Sequence, residues 1–122
     1  MKSFGFVFFV LGILSVNVQA GEVEVVGAKA FKSGPDTYRF DVTLRHGDEG
    51  WKHYADNWEV LTEKGTVLGK RVLLHPHVNE QPFTRSLGRV RIPEGVKVVI
   101  IRGHDKVHKN GGKELKLVLP GR

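Results

Sequence analysis

The sequence predicts an all-β domain, a seven-stranded antiparallel sandwich of two sheets. Short stretches of alternating apolar and polar residues recur along the chain, and turns containing Gly or Pro separate them. Beyond the first 20 residues, no stretch keeps helical periodicity for about ten residues or more. The length of 122 residues, 40% of them hydrophobic, suits a single domain. Because the sequence contains no cysteine, disulfide scaffolds and thiolate metal sites are excluded.

Residues 1–20 have the features of a secretory signal peptide. Lys2 is the only charged residue in this segment, an apolar run covers residues 6–14, and the segment closes on Ala20. The run is short for a permanent membrane span, so an uncleaved anchor is the weaker alternative. We expect cleavage after Ala20, which leaves residues 21–122 as one domain without a transmembrane segment. The protein is therefore predicted to be periplasmic or secreted.

The chain is basic, with a formal net charge of +6 at pH 7. Cleavage after Ala20 removes Lys2 and no acid, so the mature domain carries one positive charge fewer. The basic residues are scattered, and an exported protein does not meet chromosomal DNA, so no nucleic-acid partner is expected. Acidic partners or anionic lipids remain alternatives to a simple soluble surface.

The predicted strands follow from periodicity and turn chemistry. From Tyr38 to Arg45 every second residue is apolar, as in a strand with one solvated face. Trp58 lies on the third strand, about where an immunoglobulin-type sandwich buries its core tryptophan. The fold is therefore expected to be immunoglobulin-like or fibronectin-III-like, with a small antiparallel barrel as the alternative. The predicted strands are residues 22–31, 38–45, 57–62, 66–74, 82–92, 96–101 and 114–119.

The predicted topology gathers the histidines at one end of the sandwich. Successive antiparallel strands run in opposite directions, so the connections after strands two, four and six lie at the same end. These connections, residues 46–53, 75–81 and 103–112, are long, and the turns at the other end contain no histidine. Long loops on a rigid sandwich are where binding surfaces are usually built. The histidines concerned are His46, His53, His75, His77, His104 and His108.

Histidine imidazoles at this density suggest a transition-metal site. Pro76 holds His75 and His77 in an extended segment with both rings on one side, and His104 and His108 form a second pair. The predicted ligands are His75, His77, His104, His108 and His46, with His53 as second choice. Without thiolates, Zn²⁺ or Cu²⁺ is favoured over Cu⁺. The nearby carboxylates that could ligate or orient a ring are Asp48, Glu49, Asp56, Glu80 and Asp105.

Other interpretations of the same residues stay open. The histidines could be solvated, or His46 and His75 could donate hydrogen bonds to carbonyls at strand ends. Trp51 and Tyr54 could form a binding platform, although such aromatic residues more often pack beneath their own loop. Ser86 lacks the surroundings of a hydrolase nucleophile. The sequence therefore predicts a binding protein and no enzyme.

Three segments carry a resemblance to a group of small exported bacterial proteins of unassigned function. The resemblance covers most of the mature chain and implies a periplasmic location, with no activity attached. The segments are Trp51-Lys52-His53-Tyr54-Ala55-Asp56, His75-Pro76-His77-Val78-Asn79-Glu80-Gln81-Pro82-Phe83-Thr84-Arg85 and His104-Asp105-Lys106-Val107-His108.

The sequence thus predicts a periplasmic binding protein with a histidine-rich loop end that takes up Zn²⁺ or Cu²⁺. The alternative is an interaction module that docks another envelope protein through the same loops, using Trp51 and Tyr54. A metal site predicts affinity that falls as histidine protonates near pH 6. A docking surface predicts an exposed apolar patch instead.

Overall fold

The computed structural model describes residues 21–122 and confirms the predicted sandwich. Within this range it contains seven strands and no helix, and so no helix that could span a membrane. The predicted signal peptide lies outside the described residues. The strands are β1 (Glu24–Lys32), β2 (Thr37–Arg45), β3 (Ala55–Leu61), β4 (Val67–Val72), β5 (Phe83–Arg91), β6 (Val98–Asp105) and β7 (Leu115–Val118).

The strands form two antiparallel sheets. One has the order β1-β2-β5 and the other the order β4-β3-β6-β7. The fourth strand pairs with the third, whereas the corresponding strand of a constant-type immunoglobulin domain joins the other sheet. This arrangement leaves the connections β2–β3, β4–β5 and β6–β7 at one end, as the sequence predicts.

The core lies between the inner faces of the two sheets. On β2 the apolar residues predicted to share one face, Tyr38 to Leu44 in steps of two, are completely buried. Trp58 of β3 is buried among them, as expected from its position on the third strand. Burial of each such side chain contributes roughly 1.5–3 kcal/mol relative to an exposed one. This core fixes the ends of the strands on which the loops are mounted.

The boundaries of β3 and β6 differ from the prediction in a way that matters for the histidines. β6 continues to Asp105, where a loop from residue 103 was predicted, because its extra residues pair with an early start of β3. Ala55 pairs with Asp105, and Asn57 pairs with His104. His104 therefore lies in a strand rather than in a loop. Since neighbouring strand residues face opposite ways, buried Asp105 points inward and half-buried His104 points outward.

Candidate metal centre

Hydrogen bonds join the three long connections at the histidine-bearing end. The backbone N–H of His77 donates to Asp48 Oδ2 at 2.6 Å, which links the β4–β5 connection to the β2–β3 connection. The N–H of His46 donates to the Gln81 side-chain oxygen at 2.9 Å, between the same two connections. The N–H of Lys106 donates to the carbonyl of Tyr54 at 3.2 Å and brings in the third connection. The loops therefore form one structured surface.

Three imidazoles surround one buried carboxylate at this end, and we call His46, His53, His108 and Asp105 the histidine cluster. His46 Nε2 lies 3.4 Å from Asp105 Oδ2, and His53 Nε2 lies 3.6 Å from Asp105 Oδ1. One potential ligand atom from each of these three residues lies within 4.8 Å of the other two. His108 Nδ1 lies 3.3 Å from Asp105 Oδ2. The cluster thus brings two imidazole nitrogens and one carboxylate within reach of a single ion, with the third imidazole beside the carboxylate.

A tight turn after β6 brings His108 back beside Asp105. Asp105 Oδ1 accepts hydrogen bonds from the N–H groups of Val107, at 2.8 Å, and His108, at 2.5 Å. Its backbone also exchanges hydrogen bonds with Lys109, which closes the turn. Burial raises the pKa of Asp105, but these two N–H groups and the charges of His46 and His108 outweigh it, so the pKa is lowered. Asp105 is therefore an anion at neutral pH.

A carboxylate orients each of the two inner imidazoles from its far side. His46 Nδ1 donates to Asp48 Oδ1 at 2.5 Å, and Asp48 also accepts from the N–H of Ala55 at 3.1 Å. His53 Nδ1 donates to Glu49 Oε1 at 2.8 Å. Both rings are therefore held with Nε2 toward Asp105. Metal-ligating histidines usually have this kind of support, because the carboxylate fixes the tautomer and makes the ligand nitrogen more basic.

The ionisation of His46 and Asp48 reflects this arrangement. Burial lowers the pKa of His46, but the hydrogen bond to Asp48, the bond to the Gly21 carbonyl and the charges of Asp48 and Asp105 together raise it above its ordinary value. Burial raises the pKa of Asp48, but hydrogen bonds from His46 and from the N–H groups of His77 and Ala55 lower it overall. The pair is buried, so its negative charge needs a nearby cation. The His46 ring supplies that cation when it is protonated.

Gly21 supplies the remaining contact of both inner rings. Its carbonyl oxygen accepts from His46 Nε2 at 2.8 Å and lies 3.2 Å from His53 Nε2. With Nδ1 bonded to Asp48, His46 thus donates from both ring nitrogens, which is the pattern of an imidazolium. The cluster already accommodates one positive charge at the point that faces Asp105.

His75 and His77 lie outside the histidine cluster. Their ring centroids are 4.6 Å apart, and the His77 ring stacks on Phe83 at 3.9 Å. His77 Nε2 accepts a hydrogen bond from Arg85 Nη2 at 3.0 Å, and Arg85 also pairs with Glu80 at 3.2 Å. Burial, then the charges of Arg85 and His75, lower the pKa of His77. His77 Nε2 therefore faces a guanidinium, while its buried Nδ1 lies 4.0 Å from Asp48 Oδ2.

His104 and Asp56 form a separate pair on the outer face of the second sheet. His104 Nδ1 donates to Asp56 Oδ1 at 2.5 Å, and both side chains are partly exposed. The alternation of β6 separates this pair from Asp105.

The two aromatic residues of the β2–β3 connection differ in exposure. Tyr54 is buried beneath its own loop, whereas Trp51 remains 65% exposed and meets the Tyr54 ring edge-on at 5.7 Å. The Trp51 side chain is therefore exposed to solvent, and the Tyr54 ring packs against it.

Two contacts of the histidines, Gly21 in the cluster and Arg85 beside His77, were not predicted from the sequence. Gly21 could have been noticed because it directly follows the predicted cleavage position after Ala20. Arg85 is eight residues from His77 on a neighbouring strand, and only the strand register decides that the two meet.

Comparison with curated proteins finds one described as "Putative lipoprotein" from Halomicrobium mukohataei. The two sequences are 44% identical over 94 residues, which is 77% of this chain and 46% of the relative. The chain therefore spans about half the length of the curated relative it matches. No protein-family model and no solved structure matches the chain.

Proposed function

We propose that this is an exported protein that binds a divalent transition metal, Zn²⁺ or Cu²⁺, at the histidine cluster. The observation that carries the proposal is the paired support of His46 and His53. Each ring donates Nδ1 to a carboxylate and turns Nε2 toward Asp105. Metal-ligating histidines are commonly held in this way.

The ligand types favour a borderline metal ion. His46 Nε2, His53 Nε2 and an Asp105 oxygen supply two nitrogens and one oxygen, and His108 is close enough to supply a third nitrogen. Imidazole and carboxylate ligands suit Zn²⁺ and Cu²⁺, whereas Ca²⁺ and Mg²⁺ prefer all-oxygen sites and Cu⁺ prefers sulfur. The ion would take the place of the proton on His46 Nε2 and balance the same buried carboxylates.

The exposure of the ligands supports uptake of an ion without catalysis. The side chains of His46 and Asp105 are fully buried, while those of His53 and His108 are 15% and 31% exposed. An ion would therefore enter past His108 and His53. The proposed role is delivery, buffering or sensing of the metal.

Two observations support export. One is the predicted signal peptide in residues 1–20. The other is the similarity to a protein described as a "Putative lipoprotein", since lipoproteins are exported before they are anchored.

Metal-dependent thermal unfolding tests the metal proposal. The purified protein is stripped with EDTA and then given Zn²⁺ or Cu²⁺ at about one hundred times the dissociation constant, which stabilises a one-site protein by about 2.7 kcal/mol. We expect His53→Ala to abolish the rise in midpoint. The matched control His75→Ala removes a histidine from the same end but outside the cluster, and it should leave the rise intact. Equal behaviour of the two variants would overturn the assignment.

A second candidate function is docking of another envelope protein. It is favoured by exposed apolar side chains on all three long connections, namely Trp51, Leu74, Val78 and Val107. Trp51→Ala should abolish capture of such a partner without changing metal affinity, whereas His53→Ala should do the reverse.

A further inference from the structure

We propose that the α-amino group of Gly21, freed by cleavage after Ala20, is a further ligand of the metal at the histidine cluster. This inference rests on the proposed metal-binding function and on the predicted cleavage position. It assigns the site a ligand that exists only after processing.

Gly21 lies inside the cluster rather than beside it. Its carbonyl oxygen is within hydrogen-bond distance of two ring nitrogens, His46 Nε2 and His53 Nε2. A Cβ atom on Gly21 would lie 2.7 Å from His108 Cε1 and 3.4 Å from His53 Cε1. All three imidazoles of the cluster therefore surround this one residue, and a side chain there would displace a ring.

The fold holds the segment that follows Gly21 in place. Val23 is buried and packs against Gly103, where a Cβ would collide with its side chain. Its backbone runs so close to Gly112 that a Cβ there would collide with the Val23 carbonyl. The N–H of Val25 donates to the Lys113 carbonyl at 3.0 Å. Two glycines thus make room for the segment, so the position of Gly21 follows from packing.

Cleavage would convert Gly21 into a chelating group. In the uncleaved chain its nitrogen belongs to a peptide bond, where resonance delocalises the lone pair and makes the neutral nitrogen a poor ligand. A free amine has that lone pair, and together with the carbonyl oxygen of the same residue it closes a five-membered ring on a metal ion. The proton of the α-ammonium group leaves to solvent as the metal–nitrogen bond forms. Amine nitrogen suits Cu²⁺ and Zn²⁺ as imidazole does.

The test compares two chains that differ only at the amino terminus. One begins at Gly21, and the other carries one additional serine before Gly21; both keep every described residue of the fold. Cu²⁺ and Zn²⁺ dissociation constants are measured by competition with a chelator, and the midpoints of metal-free unfolding check that both chains fold. We expect the serine extension to weaken Cu²⁺ binding by about tenfold or more, comparable to the loss of a supporting group at a metal site.

A chemical protection experiment does not depend on any variant. The chain beginning at Gly21 is treated with an amine-acylating reagent, with and without bound Cu²⁺, and the products are mapped by mass spectrometry. Bound Cu²⁺ should protect the Gly21 amine, while the lysine side chains of the same molecule serve as the internal control. Mass spectrometry of the protein exported from the full chain should find Gly21 as its first residue.

The outcomes separate this inference from the proposed function. If both chains bind Cu²⁺ equally and His53→Ala abolishes binding, the amine is not a ligand and the metal site stands. If neither chain binds Cu²⁺ or Zn²⁺, both proposals fail. A mature terminus other than Gly21, or equal acylation with and without Cu²⁺, also overturns the inference.

Discussion

Two groups of histidines lie at the same end of this sandwich, and the charged groups that face their Nε2 atoms have opposite sign. In the histidine cluster, His46 and His53 face Asp105 and are held by carboxylates. In the other group, His77 faces the guanidinium of Arg85 and stacks on Phe83. The His-x-His spacing of the second group is the stronger motif in the sequence, yet its surroundings disfavour a cation. We therefore expect the charge that faces a ring nitrogen to matter more for metal binding than the spacing of histidines along the chain.

The largest effect is expected where a carboxylate supports a buried ring. Asp48→Asn removes a buried charge that accepts from His46, Ala55 and His77, and it should cost about 3–5 kcal/mol of unfolding free energy. Asp56→Asn is the matched control, because Asp56 holds His104 at the same 2.5 Å but is partly exposed. It should cost about 1 kcal/mol or less. Urea denaturation measures the unfolding free energy of both variants. Similar losses of stability would contradict the distinction between a buried and a partly exposed carboxylate.

Metal affinity should fall as pH falls, because an imidazole must lose its proton to bind the ion. One unit below its pKa, each such ring reduces affinity by about tenfold. The metal-induced rise in the unfolding midpoint should therefore shrink between about pH 7.5 and pH 5.5. His53→Ala should show no rise at either pH. A rise that does not change with pH would argue against histidine ligands.

The metal-free protein should show His46 and His77 titrating on opposite sides of the ordinary value. The raised pKa of His46 gives stability that is fully present below the unfolded value of 6.5 and is lost as pH rises through the folded pKa. The lowered pKa of His77 gives stability that is present above 6.5 and is lost as pH falls through the folded pKa. NMR titration of the two rings measures both directions. A pKa of His77 above that of His46 would contradict the difference in charge described for the two groups.

The smallest effect is expected from Arg85→Gln. Burial would still lower the pKa of His77, but loss of the guanidinium removes the second cause, so the pKa should rise. Arg91→Gln, at an exposed position on the same strand, is the control and should leave the His77 titration unchanged. A His77 pKa that does not move in Arg85→Gln would show that the guanidinium does not contribute to the lowering.

The fold class was predictable from the sequence because periodicity is a local property. The alternation from Tyr38 to Leu44 requires a buried face and an exposed face, and the structure buries these apolar residues. The end of β6 was missed because Gly103, His104 and Asp105 have the composition of a loop. Pairing with β3 satisfies their backbone groups and makes them strand.

The sequence predicted where the candidate site lies better than it predicted which residues form it. Topology alone placed His46, His53 and His108 at one end, and there the structure brings them together around Asp105. It leaves His75 and His77 with Arg85, and His104 with Asp56. The role of Asp48 as the support of His46 also needed the structure, since proximity in sequence does not say which ring nitrogen it meets.

The sequence by itself determined the strands, their inward faces and the end at which the long connections meet, because side-chain periodicity and antiparallel chain direction follow from local order. The tertiary structure decided which histidines share a carboxylate, which one meets a guanidinium, and that Gly21 lies among the rings. These pairings depend on strand register and on contacts between residues far apart in the chain. A shift of one residue in a strand turns a side chain to the opposite face, so no local pattern could have fixed them.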